Sequence, residues 1–147
     1  MDVIEPIRKS LTVQRAPDEA FKIWTDGIGG WWPVIDHSIG KERVVNVVFE
    51  PRRDGRVYEV WDDGTEHDWA RVIAFEPPHR FVMSWQPNPG RPAPTEVEVR
   101  FTSDGTGTRV DLEHRAWDRL GDQGPEQRAS YDGGWPTTLE RYREAAS

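Results

Sequence analysis

The sequence predicts an α+β fold in which a curved antiparallel sheet of about seven strands packs against one long C-terminal helix. Three observations support this prediction: a strand and a short helix come first, six strand signals follow in a row, and an amphipathic helix comes last. One sheet cannot cover its own apolar face, so the last helix is expected to lie across the concave side and leave a space there. At 147 residues, the chain is expected to form a single domain over residues 1–147.

The first strand is predicted over residues 7–13, where apolar and polar side chains alternate and Lys9 is the one polar residue on the apolar side. A short helix follows over residues 16–24, because a proline suits its first position and acidic residues occupy its first turn. Glycines end this helix and lead into an irregular loop that carries Trp31 and Trp32. A loop so rich in large apolar residues is expected to pack on the rest of the protein.

Six further strands are predicted because alternating segments are separated by turn-forming residues, including the proline-rich stretch 87–94. They cover residues 44–50, 56–61, 66–75, 80–86, 95–101 and 108–115. Sequential antiparallel pairing is the simplest topology for such a series. The final helix is predicted from about residue 125 to 146, with a kink at Pro136, because its apolar residues recur every three or four positions.

Tryptophan is the most informative residue type, with eight copies spread over separate segments of the chain. Each indole combines a large apolar face with one N–H that needs a partner, so a fold that gathers these segments can use them as cavity walls. The alternative is a tryptophan-rich core. The side chains predicted to contact a ligand are Glu59, Trp69, Arg71, Trp85, His114, Tyr131, Trp135, Leu139 and Tyr142.

The turn at residues 62–65 decides which way Glu59 points. A two- or four-residue loop pairs Glu59 with Asp68 and turns it outward, whereas a three-residue loop pairs it with His67 and turns it inward. Directly opposed carboxylates repel each other, so the inward register is favoured, and an inward Arg71 would supply the partner that a buried charge needs. In the outward register both are solvated strand residues.

His114 is predicted to point inward, because strand 108–115 places it on the same face as Val110 and Leu112. Burial there would favour the neutral imidazole. An inward histidine is either a hydrogen-bonded core residue or a contact of the ligand, and the sequence leaves both open. If the protein is an enzyme, His114 and Glu59 are the candidate general bases.

Composition and motifs exclude several functional classes. A net charge of −7 disfavours nucleic acid and anionic membranes as partners, and no apolar run is long enough to span a bilayer. There is no cysteine for disulfide or thiol chemistry, and without a signal-peptide pattern the expected location is cytoplasmic. The histidines lack the spacing of a helical metal pair, and no complete nucleotide-binding glycine motif occurs. No metal and no cofactor are therefore expected.

Motifs along nearly the whole chain form a recognisable set: Ala16-Pro17-Asp18-Glu19-Ala20-Phe21, Gly30-Trp31-Trp32-Pro33, Trp69-Ala70-Arg71-Val72, Glu76-Pro77-Pro78, Leu112-Glu113-His114 and Gly134-Trp135. In this set the chain resembles the C-terminal-domain family of activators of the heat-shock protein 90 ATPase, within the START-like (SRPBCC, helix-grip) superfamily. The resemblance implies a sheet wrapped round a long C-terminal helix. It also implies an apolar cavity between them, used across the superfamily for lipids, polyketides and other hydrophobic molecules.

Three functions follow from the sequence. The favoured one is binding of a small hydrophobic or aromatic ligand, such as a lipid, polyketide or flavonoid-like molecule, in a cavity between sheet and helix. The second is a cyclase or hydrolase that acts on such a ligand. The third is a protein-interaction module resembling the co-chaperone, with an exposed loop at Trp31 and Trp32 as its contact surface.

Overall fold

The computed structural model describes residues 4–86 and 94–147, which form one seven-stranded antiparallel sheet and two α-helices. The strands are β1 (Ile7–Val13), β2 (Val44–Phe49), β3 (Arg56–Trp61), β4 (Glu66–Glu76), β5 (Arg80–Trp85), β6 (Thr95–Asp104) and β7 (Gly107–Arg115). The helices are α1 (Pro17–Trp24) and α2 (Gly124–Ala145), and short 3-10 helices cover Ile28–Gly30, Lys41–Arg43 and Trp117–Gln123. The predicted α+β helix-grip fold is confirmed.

Every predicted strand is present, and the largest difference is at β6, which extends to Asp104 instead of ending at residue 101. The stretch after β7, predicted as a loop, forms the 3-10 helix Trp117–Gln123. Residues 87–93 of the predicted proline-rich turn lie outside the described residues. The alternating pattern therefore located the strands well, and the difference at β6 is at the end of a strand, where such patterns are least informative.

The strands follow the order β1-β7-β6-β5-β4-β3-β2 across the sheet. The prediction of sequential pairing is right from β2 to β7, whereas β1 pairs with β7 and places Ile7 opposite His114. Lys9, the polar residue on the apolar side of β1, forms an ion pair with Asp132 of α2 at 2.8 Å. The polar residue that interrupts the apolar face of β1 thus helps to fix α2 across the sheet.

Helix α2 is 22 residues long and has Pro136 in its interior. Pro125 occupies the first turn of α2, where backbone N–H groups have no acceptor within the helix, so the lack of an N–H on proline removes no helical hydrogen bond. Gly121 lies inside the 3-10 segment Trp117–Gln123 that precedes α2, and its φ of 57°, a conformation that favours glycine, introduces a kink within that segment. Neither α2 nor any other helix in the described part of the chain is both long and apolar enough to cross a membrane.

The first helix fills one end of the space between the sheet and α2. The ring of Phe21 packs edge-on against Phe101 at 5.1 Å, and Trp24 contacts the ring of Tyr142 at 4.9 Å. The Tyr142 hydroxyl donates a hydrogen bond to the carbonyl oxygen of Ala20 at 2.8 Å. This end of the space, where α1 packs on the last turns of α2 around Tyr142, is filled by core side chains.

Candidate functional site

A cavity of about 560 Å³ lies between the sheet, residues 127–138 of α2 and the loop that follows α1. The sheet contributes Trp69 and Trp85 to its lining. The loop contributes Trp32, Asp36, His37, Ser38 and Ile39, and α2 contributes Gln127, Ser130, Tyr131, Gly134, Trp135 and Thr138. The volume falls within the range of about 300–1,000 Å³ that small-molecule sites occupy. Its place between sheet and helix is the one that the sequence resemblance implies.

The indole N–H groups of the cavity tryptophans are satisfied within the protein. The donor and acceptor pairs are Trp32 to the His37 carbonyl oxygen (2.8 Å), Trp69 to Glu59 Oε1 (2.6 Å), Trp85 to the Tyr131 hydroxyl (3.1 Å) and Trp135 to His114 Nδ1 (3.0 Å). Trp32 is central, because its ring lies 4.9 Å from that of Trp69 and 5.9 Å from that of Trp85. The tryptophans therefore present ring surface to the cavity and no unused donor.

Glu59 is fully buried on β3, opposite His67 on β4, so the inward register predicted for it is confirmed. Its oxygens accept hydrogen bonds from the backbone N–H groups of Ile39 (2.8 Å) and Gly40 (2.7 Å). They also accept from the indole N–H groups of Trp61 and Trp69, both at 2.6 Å. Each oxygen of Glu59 therefore accepts two hydrogen bonds, which uses all of the roughly four acceptor sites of a carboxylate. Glu59 thus stands behind Trp69, outside the cavity lining, and ties the loop to the sheet.

The inward position predicted for Arg71 is wrong. Its side chain is exposed, and its guanidinium donates to the carbonyl oxygen of Asp54 at 3.3 Å. The register between β3 and β4 shifts after Val57, so Trp69 and Ala70 are both buried in succession. An extra residue in one strand reverses the faces that follow it, which turns Arg71 outward although Trp69 points inward. The partners of Glu59 are therefore N–H groups and not a guanidinium.

His114 points inward as predicted and is fully buried, but it lies behind the cavity wall and does not line the cavity. Its Nδ1 accepts from Trp135, so in the neutral ring Nε2 carries the proton and donates to Thr95 Oγ1 at 2.7 Å. Thr95 in turn donates to the carbonyl oxygen of Trp85 at 3.3 Å. Burial lowers the pKa of His114 from 6.5 to about 3. The histidine therefore acts as a fixed acceptor that orients Trp135.

The structure separates the remaining predicted contacts into two groups. Trp69, Trp85, Tyr131 and Trp135 come together around the cavity. Leu139 and Tyr142 lie outside its lining, in the buried core, which corrects their predicted place. The apolar stripe of α2 continues from one group to the other, but α1 covers the end of the stripe around Tyr142.

The predicted exposure of the Trp31 and Trp32 rings is also wrong. Trp31 is only 3% exposed and Trp32 only 6%. The indole N–H of Trp31 donates to the carbonyl oxygen of Ile23 at 2.8 Å, and the ring of Trp32 packs on that of Trp69 in the sheet, so both rings are fixed against the body of the protein. The expectation that this loop packs on the rest of the protein is correct, and the rings of its two tryptophans are buried.

Sequence reasoning missed the polar part of the cavity lining. On α2 these residues are Gln127, Ser130 and Thr138, and on the loop they are Asp36, His37 and Ser38. The helical residues could have been found, because they share the spacing of Tyr131 and Trp135 and so the same face of the helix. The loop residues carry no comparable signal, because irregular backbone has no period from which a direction can be read.

Gly134 allows the loop to approach α2 closely. A Cβ atom at this position would lie 3.2 Å from Cε1 of His37, which is tight, whereas a Cβ on the neighbouring Gly133 would meet nothing within 4 Å. The ring of His37 therefore rests on bare helix backbone at the edge of the cavity.

The glycine pair gives a matched test of this contact. We expect Gly133→Ala to raise the free energy of unfolding by about 0.5–1 kcal/mol, because alanine is the better helix former. Gly134→Ala should raise the free energy of unfolding by less than this or lower it, because its methyl group would press on His37. Urea unfolding of both variants measures the difference. Equal gains would show that the loop does not lie against Gly134.

Comparison with known proteins shows what the chain is similar to. A family model described as Activator of Hsp90 ATPase homolog 1-like protein matches residues 14–146. The fold is similar to that of an anthrahydroquino-γ-pyrone synthase, Txn09, with a TM-score of 0.66 and 34% identity over 97% of each chain. It is also similar to the self-sacrificing resistance protein CalC from Micromonospora echinospora, with a TM-score of 0.70 and 32% identity over 95% of this chain and 92% of CalC.

More distant structures share the fold alone. Protein MLL2253 from Mesorhizobium loti has a TM-score of 0.71 but only 18% identity, over 96% of each chain. No curated protein matches the chain in sequence.

Proposed function

The chain belongs to the Activator of Hsp90 ATPase homolog 1-like family, and on that premise we propose that it binds a small polycyclic aromatic molecule of the polyketide type in its tryptophan-lined cavity. The observation that carries this proposal is that each cavity indole uses its N–H inside the protein and turns ring surface to the cavity. Rigid rings held in this way suit a flat aromatic guest, because aromatic pairs gain energy beyond the area they bury.

The similar proteins support this ligand class. Txn09, at 34% identity, is described as a synthase of an anthrahydroquino-γ-pyrone, which is an aromatic ring system. Preorganised aromatic walls would also lower the entropy lost on binding, because their side chains are already fixed before the ligand arrives. A long flexible lipid fits this arrangement less well than a rigid planar molecule does.

A ring-forming reaction on the bound ligand is the second candidate, and the synthase description of Txn09 favours it. The geometry argues against the two general bases predicted from the sequence. The Nδ1 lone pair of His114 already accepts the Trp135 N–H, and the oxygens of Glu59 are taken by four donors. Any proton transfer to a ligand in this cavity would use the polar residues of its rim.

A chaperone-contact module is the third candidate and has less support. The contact predicted for it needs exposed rings at Trp31 and Trp32, and both are buried. The exposed apolar side chains of this loop are instead Ile35, at 57%, and Ile39, at 40%. Two separated isoleucines form a small apolar surface, and single exposed apolar residues are ordinary on soluble proteins.

A plug at the cavity rim tests the proposed function. Ser130 and Ala129 are adjacent exposed residues of α2, but only Ser130 lines the cavity. We expect wild type to bind the aromatic probe alizarin in calorimetric titrations, and Ser130→Trp to bind it at least about tenfold more weakly because its indole occupies the cavity. Ala129→Trp is the matched control and should bind as wild type does.

Two outcomes would contradict the proposal. Wild type could fail to bind alizarin or any other planar aromatic probe. Alternatively, both tryptophan variants could bind with wild-type affinity, which would place the ligand outside this cavity.

A further inference from the structure

Thr138 differs from the other buried threonines. Thr25 donates to the carbonyl oxygen of Phe21 at 3.1 Å, Thr95 bonds His114, and Thr108 donates to the carbonyl oxygen of Arg15 at 2.7 Å. Thr138 is only 2% exposed and lines the cavity, yet within residues 4–86 and 94–147 its hydroxyl has no hydrogen-bond partner. A buried hydroxyl without a partner lowers stability, so such groups are rare unless a ligand or water completes them.

The hydroxyl of Thr138 reaches the cavity space. In the part of the chain that the structure describes, the only fully enclosed side-chain polar atom without a partner is the indole nitrogen of Trp24. The oxygen of Thr138 is therefore not sealed inside the protein, and the open space next to it is the cavity that this residue lines. Its hydrogen bond remains available to a guest.

His37 borders the same stretch of α2. Its ring lies against Gly134, one helical turn before Thr138, so both side chains lie along one side of the cavity. The backbone of His37 is fixed, because its N–H donates to the Pro33 carbonyl oxygen at 3.0 Å and its own carbonyl oxygen accepts from Trp32 at 2.8 Å. Its ring nitrogens, by contrast, have no partner among the described residues. The imidazole is thus held in place without being used by the protein.

We propose that His37 and Thr138 form a polar anchor for a hydroxyl group at the edge of the aromatic ligand, an inference that rests on the proposed function. A phenolic hydroxyl is one donor and one acceptor, and imidazole and threonine can supply the complementary acceptor and donor. The tryptophans bind any flat ring system through its surface, whereas the anchor selects among such molecules. A site built to bond a hydroxyl discriminates strongly against the analogue that lacks it, because its polar groups are then left unpaired.

The anchor is tested with two probes that differ in hydroxyl groups, alizarin and unsubstituted anthraquinone. We expect wild type to bind alizarin more tightly than anthraquinone. Thr138→Val should lower the affinity for alizarin about tenfold and leave the affinity for anthraquinone unchanged, because the variant keeps the side-chain volume and removes only the hydroxyl. Thr137→Val is the matched control, since Thr137 is exposed on the same helix and does not line the cavity. It should bind both probes as wild type does.

A second variant and a stability measurement separate ligand binding from a structural role. His37→Phe keeps a ring against Gly134 without its nitrogens, and it should show the same selective loss of alizarin. The melting temperature of Thr138→Val should be at least that of wild type, because no protein hydrogen bond is removed. A lowered melting temperature in this variant would assign the hydroxyl to the fold and overturn the anchor.

The outcomes also distinguish the anchor from the proposed function. Unchanged alizarin affinity in both Thr138→Val and His37→Phe would overturn the anchor and leave the aromatic cavity standing. Equal affinity of wild type for alizarin and anthraquinone would do the same. Failure of wild type to bind either probe would overturn the proposed function and the anchor with it.

Discussion

Replacement of Glu59 by glutamine is expected to lower the free energy of unfolding by about 2–4 kcal/mol. Oε1 accepts from Ile39 and Trp69, and Oε2 accepts from Gly40 and Trp61. A glutamine has only one oxygen, so its NH2 group must face one pair of N–H donors and leave both unsatisfied. The loss should be visible in urea unfolding as a lower midpoint, and it should be accompanied by weaker binding of alizarin, because Trp69 and the loop both form cavity walls.

Glu42→Gln is the control for this prediction, because Glu42 is exposed on the 3-10 helix just after the loop. It removes the same charge close by and should change stability by less than about 0.5 kcal/mol. If Glu59→Gln were as stable as Glu42→Gln, the carboxylate would not hold the loop and the indoles together.

Acidification from pH 7 to pH 5 is expected to lower the free energy of unfolding by about 2 kcal/mol through His114. The unfolded chain takes up a proton on this histidine as the pH falls below about 6.5, whereas the folded protein does so only near pH 3 because burial lowers the pKa of the imidazole. Between these values the unfolded state holds more protons, so stability falls as the pH falls. Urea unfolding at a series of pH values measures the slope.

His114→Gln isolates the contribution of this residue. The amide can accept from Trp135 and donate to Thr95, but it does not titrate, so stability between pH 7 and pH 5 should depend less on pH than in wild type. An identical slope in both proteins would mean that His114 is protonated in the folded state in this range, contrary to its enclosure by Trp135, Trp117 and Tyr131.

The sequence predicts the fold well because alternation and turn chemistry are local signals. The inward direction of His114 followed from the period of β7, and that of Glu59 followed from the repulsion expected between opposed carboxylates. Arg71 was predicted on the wrong face because a shift in register between β3 and β4 leaves no mark in the residue pattern.

The limits of the cavity depend on packing between distant segments, which a single sequence does not encode in any local pattern. Leu139 and Tyr142 share the apolar stripe of α2 with Trp135, and only the position of α1 decides that they belong to the core. The role of Thr138 is equally hard to read from the sequence, because its hydroxyl could have donated to the backbone carbonyl one helical turn earlier, as that of Thr25 does. The sequence therefore predicted the aromatic residues of the cavity wall, whereas the polar anchor of His37 and Thr138 could be inferred only from the three-dimensional structure.

The most direct test of the central claim uses the indole N–H signals of the eight tryptophans in a proton–nitrogen correlation NMR spectrum. With the signals assigned through single tryptophan-to-phenylalanine variants, alizarin is added to saturation. If the ligand binds in the cavity, the signals of Trp32, Trp69, Trp85 and Trp135 shift, while those of Trp24 in the packed core and Trp61 beyond Glu59 stay in place. Shifts confined to Trp24 or Trp61, or no shift in any indole, would contradict binding in the cavity.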